Sequence, residues 1–241
     1  MQTGWGILKK FKKKAIKTGR IMKQSTIKQN KKGSITTGTL PYRTVKRILD
    51  VFFSILLTIL LLPFFIVFSL IIFFTDFHNP IYLQKRVGKN GRHFKLIKFR
   101  TMKHDAEDFE KYFTEEQLKL FNSEYKLEED PRITPIGRVL RKFSIDEFPQ
   151  FINVIAGQMS LIGPRPLTDD ETYLYGENRD LLLSVRPGIT GLWQVSGRNS
   201  LTYESGERQK CELEYVENFG FKMDMKVFFK TFKEIFSGGG K

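Results

Sequence analysis

The sequence predicts an α/β fold, mainly helical with a small sheet, in which a reentrant membrane helix precedes a cytoplasmic domain. Three observations carry this. Residues 51–74 form an uncharged apolar run broken by Pro63 and flanked on both sides by cations. Asn90-Gly91 stands between two short strand-like segments. From residue 105 onward, helical patterns outnumber strand patterns.

The first element is a basic tail. Residues 1–49 hold 14 Lys and Arg and no Asp or Glu. The other 26 basic residues of the 241-residue chain are matched by 26 acidic ones, so the net charge of +14 belongs to the tail. A uniformly basic nucleic-acid-binding fold would not distribute charge in this way, and no nucleic acid is expected as a partner. Trp5, Leu8, Phe11 and Ala15 are spaced as on one face of a helix, with lysines between. A basic amphipathic helix and an unstructured tail both fit that spacing, and either would bind anionic lipid. Residues 23–41, rich in Lys, Gly, Ser and Thr, read as a linker.

Next comes the 24-residue run Val51–Phe74. At about 1.5 Å per residue it is long enough to cross a hydrocarbon core of roughly 30 Å. Pro63 removes a helix hydrogen bond in mid-run and favours a bend. Arg43, Lys46 and Arg47 precede the run, and Lys85, Arg86, Lys89 and Arg92 follow it. Cations hold their flanks on the cytoplasmic side, so a helix that bends at Pro63 and returns to the same face satisfies both flanks. A simple transmembrane span is the competing reading.

Residues 79–103 read as a hairpin, with strands around Ile81-Tyr82-Leu83 and Phe94-Lys95-Leu96-Ile97 and a tight turn at Asn90-Gly91. Residues 105–130 are acidic and helical in pattern, with Phe109, Tyr112 and Phe113 on one face. Residues 137–156 read as one or two helices, and 185–201 as a Gly- and Pro-rich loop. In 224–236, Val227, Phe228, Phe232, Ile235 and Phe236 oppose Lys226, Lys230 and Lys233, which suits a packing helix or an interfacial one. The single cysteine, Cys211, excludes an internal disulfide and fits a reducing compartment. His78, His93 and His104 show no zinc-ligand spacing.

The chemistry concentrates in Ser144-Ile145-Asp146-Glu147-Phe148-Pro149-Gln150. Arg138, Arg141 and Lys142 lie before the carboxylate pair, and Arg165 lies after it between Pro164 and Pro166. A carboxylate that attacks a phosphate needs cations that first hold and neutralise that phosphate. An Asp-Glu pair is usually a solvated helix face. Here Phe143, Ile145, Phe148 and Phe151 put it at the edge of something buried. Arg141, five residues upstream, is the first candidate phosphate clamp, because its guanidinium fork suits bidentate contact. Arg165 is held by a proline on each side, which lowers the entropy lost on binding. Arg186 and Arg198 flank a Gly-rich stretch able to approach a nucleotide closely. For each arginine the competing role is a structural salt bridge. Adjacent carboxylates also make a hard oxygen site suited to Mg2+.

These segments match a pattern. Lys46-Arg47-Ile48-Leu49-Asp50 leads into the apolar run, and Gln84-Lys85-Arg86-Val87-Gly88 continues to Lys98-Phe99-Arg100-Thr101-Met102. Asp130-Pro131-Arg132-Ile133-Thr134-Pro135-Ile136-Gly137-Arg138, the Asp146-Glu147 segment and Gly163-Pro164-Arg165-Pro166 follow. The last is Arg186-Pro187-Gly188-Ile189-Thr190-Gly191-Leu192-Trp193-Gln194-Val195-Ser196-Gly197-Arg198. In this order they resemble the bacterial sugar transferases, the monotopic phosphoglycosyl transferases, over about residues 43–236. Two departures stand out. Leu62-Pro63 replaces the family's frequent Ser-Pro, and Phe219-Gly220 replaces Trp-Ser downstream of the acidic slot that Glu212 fills.

The resemblance implies an enzyme that moves a sugar 1-phosphate from a UDP-sugar to polyprenyl (undecaprenyl) phosphate, releasing UMP. It implies a covalent phosphosugar intermediate on Asp146 and an assisting Glu147, either a metal ligand or a proton acceptor. Asp146 and Glu147 are then also the expected Mg2+ ligands, with Arg141, Arg165, Arg186 and Arg198 as substrate-binding residues. The expected organisation is a basic tail and linker (1–42), a reentrant helix kinked at Pro63 (43–78) and a catalytic domain with a C-terminal interfacial helix (79–241). The expected place is the cytoplasmic face of a bacterial membrane, at the first membrane step of exopolysaccharide, capsule or glycoconjugate synthesis. A homodimer is compatible with the sequence. A membrane-tethered, non-enzymatic assembly subunit is the main rival, and the Asp146-Glu147 pair with its arginines counts against it.

Overall fold

The computed structural model describes residues 39–124, 127, 129–197 and 201–236. The tail and linker of residues 1–38, with the amphipathic pattern of 1–20, lie outside the described residues, as does Arg198.

The apolar run folds as one helix, α1, Leu40–Asp76, 37 residues long. It is long and apolar enough to cross a membrane, and its apolar window is 6% buried. Pro41 suits the first turn, where a missing N–H costs nothing. Phe77, at φ 56°, ends the helix in the left-handed region and donates its N–H to the Phe73 carbonyl. Pro63 sits inside the helix, which runs on through it. Large side chains remain exposed along its length, among them Phe52, Ile59, Leu60, Phe64 and Phe74.

The expected hairpin forms. β1 (Ile81–Val87) pairs antiparallel with β2 (His93–Phe99), from Ile81 opposite Phe99 to Val87 opposite His93. Asn90 and Gly91 both take positive φ, 57° and 75°, the torsions an Asn-Gly turn supplies at little strain. The acidic segment gives two short helices, α2 (Phe109–Tyr112) and α3 (Glu115–Glu124). The expected shared face of Phe109, Tyr112 and Phe113 is only partly right. Phe109 and Phe113 gather with Phe121 around the Arg132 guanidinium, 4.4–5.1 Å from the ring centres. Tyr112 instead donates its hydroxyl to Asp105.

Two helices frame the carboxylate pair, α4 (Pro135–Lys142) and α5 (Gln150–Ile155). Thr134 caps α4 by accepting the Gly137 N–H at 3.0 Å. The 185–201 stretch is not all loop. β4 (Gly188–Thr190) pairs in parallel with β3 (Ser160–Ile162), so the expected small sheet is two separate strand pairs among the described residues. The remaining helices are α6 (Asp169–Tyr173), α7 (Arg179–Leu182), α8 (Glu207–Glu217) and α9 (Phe221–Phe236).

Three apolar clusters tie these together. The largest joins Ile162 and Leu167 to Leu192, Tyr215, Val216 and Val227. A second packs Phe94 and Leu96 of β2 on Val154 and Met159. The third sets Phe65, Phe68 and Ile72 of α1 against Phe99, Leu140 and Ile145. α9 packs on the core through one face. Val227 is fully buried, while Phe228, Phe229 and Phe232 stay exposed.

Candidate active site

The carboxylate pair lies on a single 3-10 turn, Ile145–Glu147, between α4 and α5. The turn starts at Ser144, which has φ 55° and ψ 23°. A left-handed serine is uncommon and signals a turn fixed by its surroundings. Ser144 donates its N–H to the Arg141 carbonyl at 3.1 Å, and Glu147 donates back to the Ser144 carbonyl at 3.2 Å. Below, Ile145 packs beside Leu140 and Phe99. Beyond the turn, Asn153 of α5 locks the helix to β2. Its amide accepts the Ile97 N–H at 3.0 Å and donates to the Lys95 carbonyl at 2.8 Å.

Asp146 is 7% exposed. Glu147 and Lys98 of β2 form an ion pair at 3.5 Å, each side chain 17% exposed. Burial pushes the Lys98 ammonium below its usual range, while Glu147 and then Asp146 pull it back up. The charges of Arg165 and Arg86 add to the downward push. Lys98 was absent from the expected site. Its signal was present, because Phe94, Leu96 and Lys98 share the inward parity of a strand.

The expected arginines divide. Arg141 is exposed, and its Nε donates to the Thr101 hydroxyl at 2.9 Å, just upstream of the pair. Arg165 lies within electrostatic reach of Lys98, and its guanidinium is 5.6 Å from the Trp193 ring centre. Its backbone N–H is held by both oxygens of Glu212, at 3.2 and 3.3 Å.

Arg186 faces elsewhere. It donates to the Gly157 carbonyl at 2.9 Å and lines a cavity with Arg43, Arg47 and Lys89 that includes neither carboxylate of the pair. The Gly-rich stretch beside it also serves another purpose. A Cβ on Gly188 would stand 2.1 Å from the Gly163 nitrogen, and one on Gly191 2.3 Å from the Gly163 oxygen. These glycines let two backbone segments touch.

Behind Arg165 lies a buried charge network that the sequence did not signal. Arg86 donates to Glu171 at 2.8 Å, and Arg208 lies 4.0 Å from the Trp193 ring and 3.9 Å from the Tyr203 ring. Glu212, 1% exposed, is pushed up to about 7 by burial, against the opposing pull of Arg208 and Arg165. Arg86 with Glu171 and Arg165 with Glu212 join residues far apart in the chain, which local spacing cannot report.

For Mg2+ the donor set is two hard carboxylates on one turn. That fits an ion held by one or two carboxylates and completed by substrate phosphates. Among the described residues, the group of three or more possible ligands is a different one, Asp76, His78 and His104, with ligand atoms within 4.8 Å. There the two imidazoles stack at 4.3 Å, and Asp76 is already paired with Arg100 at 2.6 Å.

Residues 41–238 match the family model for bacterial sugar transferases. The chain is 40% identical, over 77% of its length and 83% of the relative's, to the exopolysaccharide production protein ExoY of Sinorhizobium fredii. It is 38% identical to the undecaprenyl-phosphate galactose phosphotransferase of Salmonella typhimurium, over 82% of this chain and 42% of that one. It is 32% identical to the UDP-N-acetylgalactosamine-undecaprenyl-phosphate N-acetylgalactosaminephosphotransferase of Aeromonas hydrophila, over 92% and 50%. The chain belongs to the bacterial sugar transferase family.

Proposed function

Within that family, we propose that this chain transfers a sugar 1-phosphate from a UDP-sugar to undecaprenyl phosphate, releasing UMP, at the cytoplasmic face of a bacterial membrane. The step opens synthesis of an exopolysaccharide, capsule or glycoconjugate. One observation carries the reading. Asp146 and Glu147 share one rigid turn, Lys98 pairs with Glu147, and Arg165 stands within electrostatic reach. The names of the relatives supply the substrate class.

The chemistry proceeds in two displacements. A carboxylate oxygen of Asp146 attacks the phosphorus bonded to the sugar. The bond from that phosphorus to the bridging oxygen breaks, and UMP leaves with the electron pair. An oxygen of the lipid phosphate then attacks the same phosphorus, forming the diphosphate link and freeing the Asp146 carboxylate. Two displacements at one site let two phosphorylated substrates bind in turn, which avoids crowding both anions together. Arg141 and Arg165 hold the phosphates, and Lys98 balances the charge of Glu147. Glu147 would accept the proton of the lipid phosphate or, with Asp146, hold a magnesium ion. When bound there, Mg2+ would neutralise the phosphate oxygens of the departing UMP.

The reentrant topology belongs to this reading. Asp50 and Asp76 bracket the apolar run, and each is anchored in the same folded body. Asp50 accepts the Ser160 hydroxyl at 2.6 Å, and Asp76 pairs with Arg100 at 2.6 Å. A helix crossing the bilayer would carry its ends to opposite faces, roughly 30 Å apart. Two anchors in one body support a helix that enters and leaves on one face.

The test is UMP release from a panel of UDP-sugars by the purified full chain, with and without undecaprenyl phosphate. Lipid-dependent release from at least one sugar supports the proposal. No release from any, with the protein folded, refutes it.

A further inference from the structure

α1 ends at Asp76, Phe77 turns the chain through the left-handed region, and His78 follows at once. The fold brings His104, from the segment after β2, to the same spot. Its imidazole stacks on that of His78 at 4.3 Å, with the ring planes 9° apart. One ligand atom from each of Asp76, His78 and His104 lies within 4.8 Å of the other two. Local spacing could not report this trio, because the whole β1–β2 hairpin separates His104 from the other members.

The hydrogen bonds leave each of the three a ligand atom to give. His78 Nδ1 lies 2.5 Å from the Asp76 carbonyl oxygen. A carbonyl can only accept, so Nδ1 carries the proton and Nε2 of the neutral ring keeps its lone pair. The Arg100 guanidinium at 2.6 Å and the His78 backbone N–H at 3.2 Å both bind Asp76 Oδ1. Oδ2 makes no hydrogen bond among the described residues, and neither does the His104 ring. An imidazole fixed by a backbone carbonyl and a carboxylate held by a further group are the outer contacts that orient metal ligands.

We propose that Asp76, His78 and His104 bind a transition-metal ion, Zn2+ first, at the end of α1 and apart from the Asp146-Glu147 pair. The donor set selects the ion. Two imidazole nitrogens and one carboxylate oxygen suit zinc, whereas Mg2+ and Ca2+ take oxygen ligands. Three protein ligands leave the fourth tetrahedral position to water. Parallel rings cannot both aim a lone pair at one ion, so His104 turns out of the stack when the metal binds. Its side chain is exposed and its ring makes no hydrogen bond among the described residues, so the rotation breaks none. The Arg100 charge opposes the cation, which makes this a weaker site than the same ligands would form without it. The bound ion ties the end of α1 to the segment leaving β2, beside the Asp76–Arg100 pair. It does so whatever reaction Asp146 performs.

The chain has 3 histidines and 1 cysteine, so few other sites can compete for zinc. Zn2+ is titrated by calorimetry into the metal-stripped, untagged full chain in nonionic detergent. Mg2+ is present in large excess to occupy sites built of oxygen alone. The expected result is one Zn2+ bound per chain. His78→Gln and His104→Gln, tested separately, should each weaken that binding about a hundredfold, since a lost ligand costs at least as much as a lost outer partner. Their melting midpoints without metal should stay near that of the parent. His93→Gln, whose ring is held by Asp169 at 2.7 Å, and Cys211→Ser should bind zinc as the parent does. With Co2+ in place of Zn2+, the visible spectrum should report tetrahedral coordination in the parent and lose it in the His78 and His104 variants. If either variant unfolds, the other decides. No zinc binding in the presence of Mg2+, unchanged affinity in a folded His78→Gln or His104→Gln, or loss of binding in His93→Gln or Cys211→Ser would overturn the proposal.

Discussion

The Lys98 ammonium stands 3.5 Å from the Glu147 carboxylate, across a boundary where both side chains keep 17% of their exposure. The pair joins the hairpin to the turn that carries Asp146. Removing the cation takes an ion-pair partner from a partly buried carboxylate, which costs more than the pair itself contributes. Lys98→Met should lower kcat/KM about tenfold or more, and Lys98→Arg should restore part of it. Unchanged kinetics in Lys98→Met would reduce the pair to a structural contact.

Asp146→Asn should cost roughly a thousandfold or more, because an amide oxygen cannot take the place of the attacking carboxylate. Glu147→Gln should cost roughly a hundredfold, the size of one lost proton-transfer or metal-ligand role. With labelled UDP-sugar and no lipid acceptor, sugar phosphate should remain on the wild-type protein and be absent from Asp146→Asn. A wild-type protein that never carries label under several quench conditions would favour direct transfer between bound substrates. Chelation of divalent cations should stop release in the wild type, and full activity in chelator would show that the cations of the protein suffice.

Gly137 sits in α4 where a Cβ would stand 2.0 Å from the Thr101 carbonyl oxygen. That contact is backbone against backbone, so neither side can yield by rotating a side chain. Thr101 also accepts the Arg141 Nε, so the displacement reaches the candidate phosphate clamp. Gly137→Ala should lower the melting midpoint by several degrees and raise KM for the UDP-sugar. A stable variant with normal KM would show that α4 can shift without moving Arg141.

The carboxylate pair was legible because its signature is local: two acids between apolar residues that bury the turn. The hairpin was legible for the same reason, through Asn90-Gly91. The use of the stretch beside Arg186 was not legible, because a Gly- and Pro-rich segment reveals backbone freedom and not what that freedom serves. Gly188 and Gly191 spend that freedom on Gly163. Glu212 and Arg208 were illegible as a network, since their partners Arg165 and Trp193 meet them only through the tertiary fold. Lys98 lay between these cases, visible as a charge of inward parity on β2 but without its partner.

Glu212 makes stability depend on pH in a definite direction. Its folded carboxyl lies at about 7, above its ordinary 4.5, so the folded state binds the proton more tightly. Its contribution is fully present below about 4.5, is lost as pH rises to about 7, and stays constant above. Glu212→Gln keeps an oxygen for the Arg165 N–H and removes the titration. The melting midpoint of wild type relative to this variant should therefore fall between pH 5 and pH 7. A rise over that range would mean that Arg208 and Arg165 hold the group ionised.

The two anchors of α1 give the topology a direct test. If the helix reenters, a cysteine at Asn30 and one at Ser205 lie on the same cytoplasmic side. In a Cys211→Ser background, an impermeant thiol reagent should then label neither on intact cells and both after lysis. If the helix spans, the 14 cations of residues 1–49 lie across the membrane from the catalytic body, against the bias that keeps such charge inside. Labelling of either site from outside would refute the reentrant reading. The anchors separate two causes of that topology. Pro63→Leu restores the missing backbone donor and tests the proline, whereas Asp50→Asn with Arg100→Gln loosens the body's hold on both ends. If the proline sets the bend, the first variant should become labelled at one site; if the anchors set it, only the second should. Because Asp50 binds Ser160 and Leu161 while Asp76 binds Arg100, and Pro63 leaves α1 helical on both sides, the anchors are expected to dominate. Pro63→Leu should therefore keep its topology, and outside labelling of that variant would return the role to the proline.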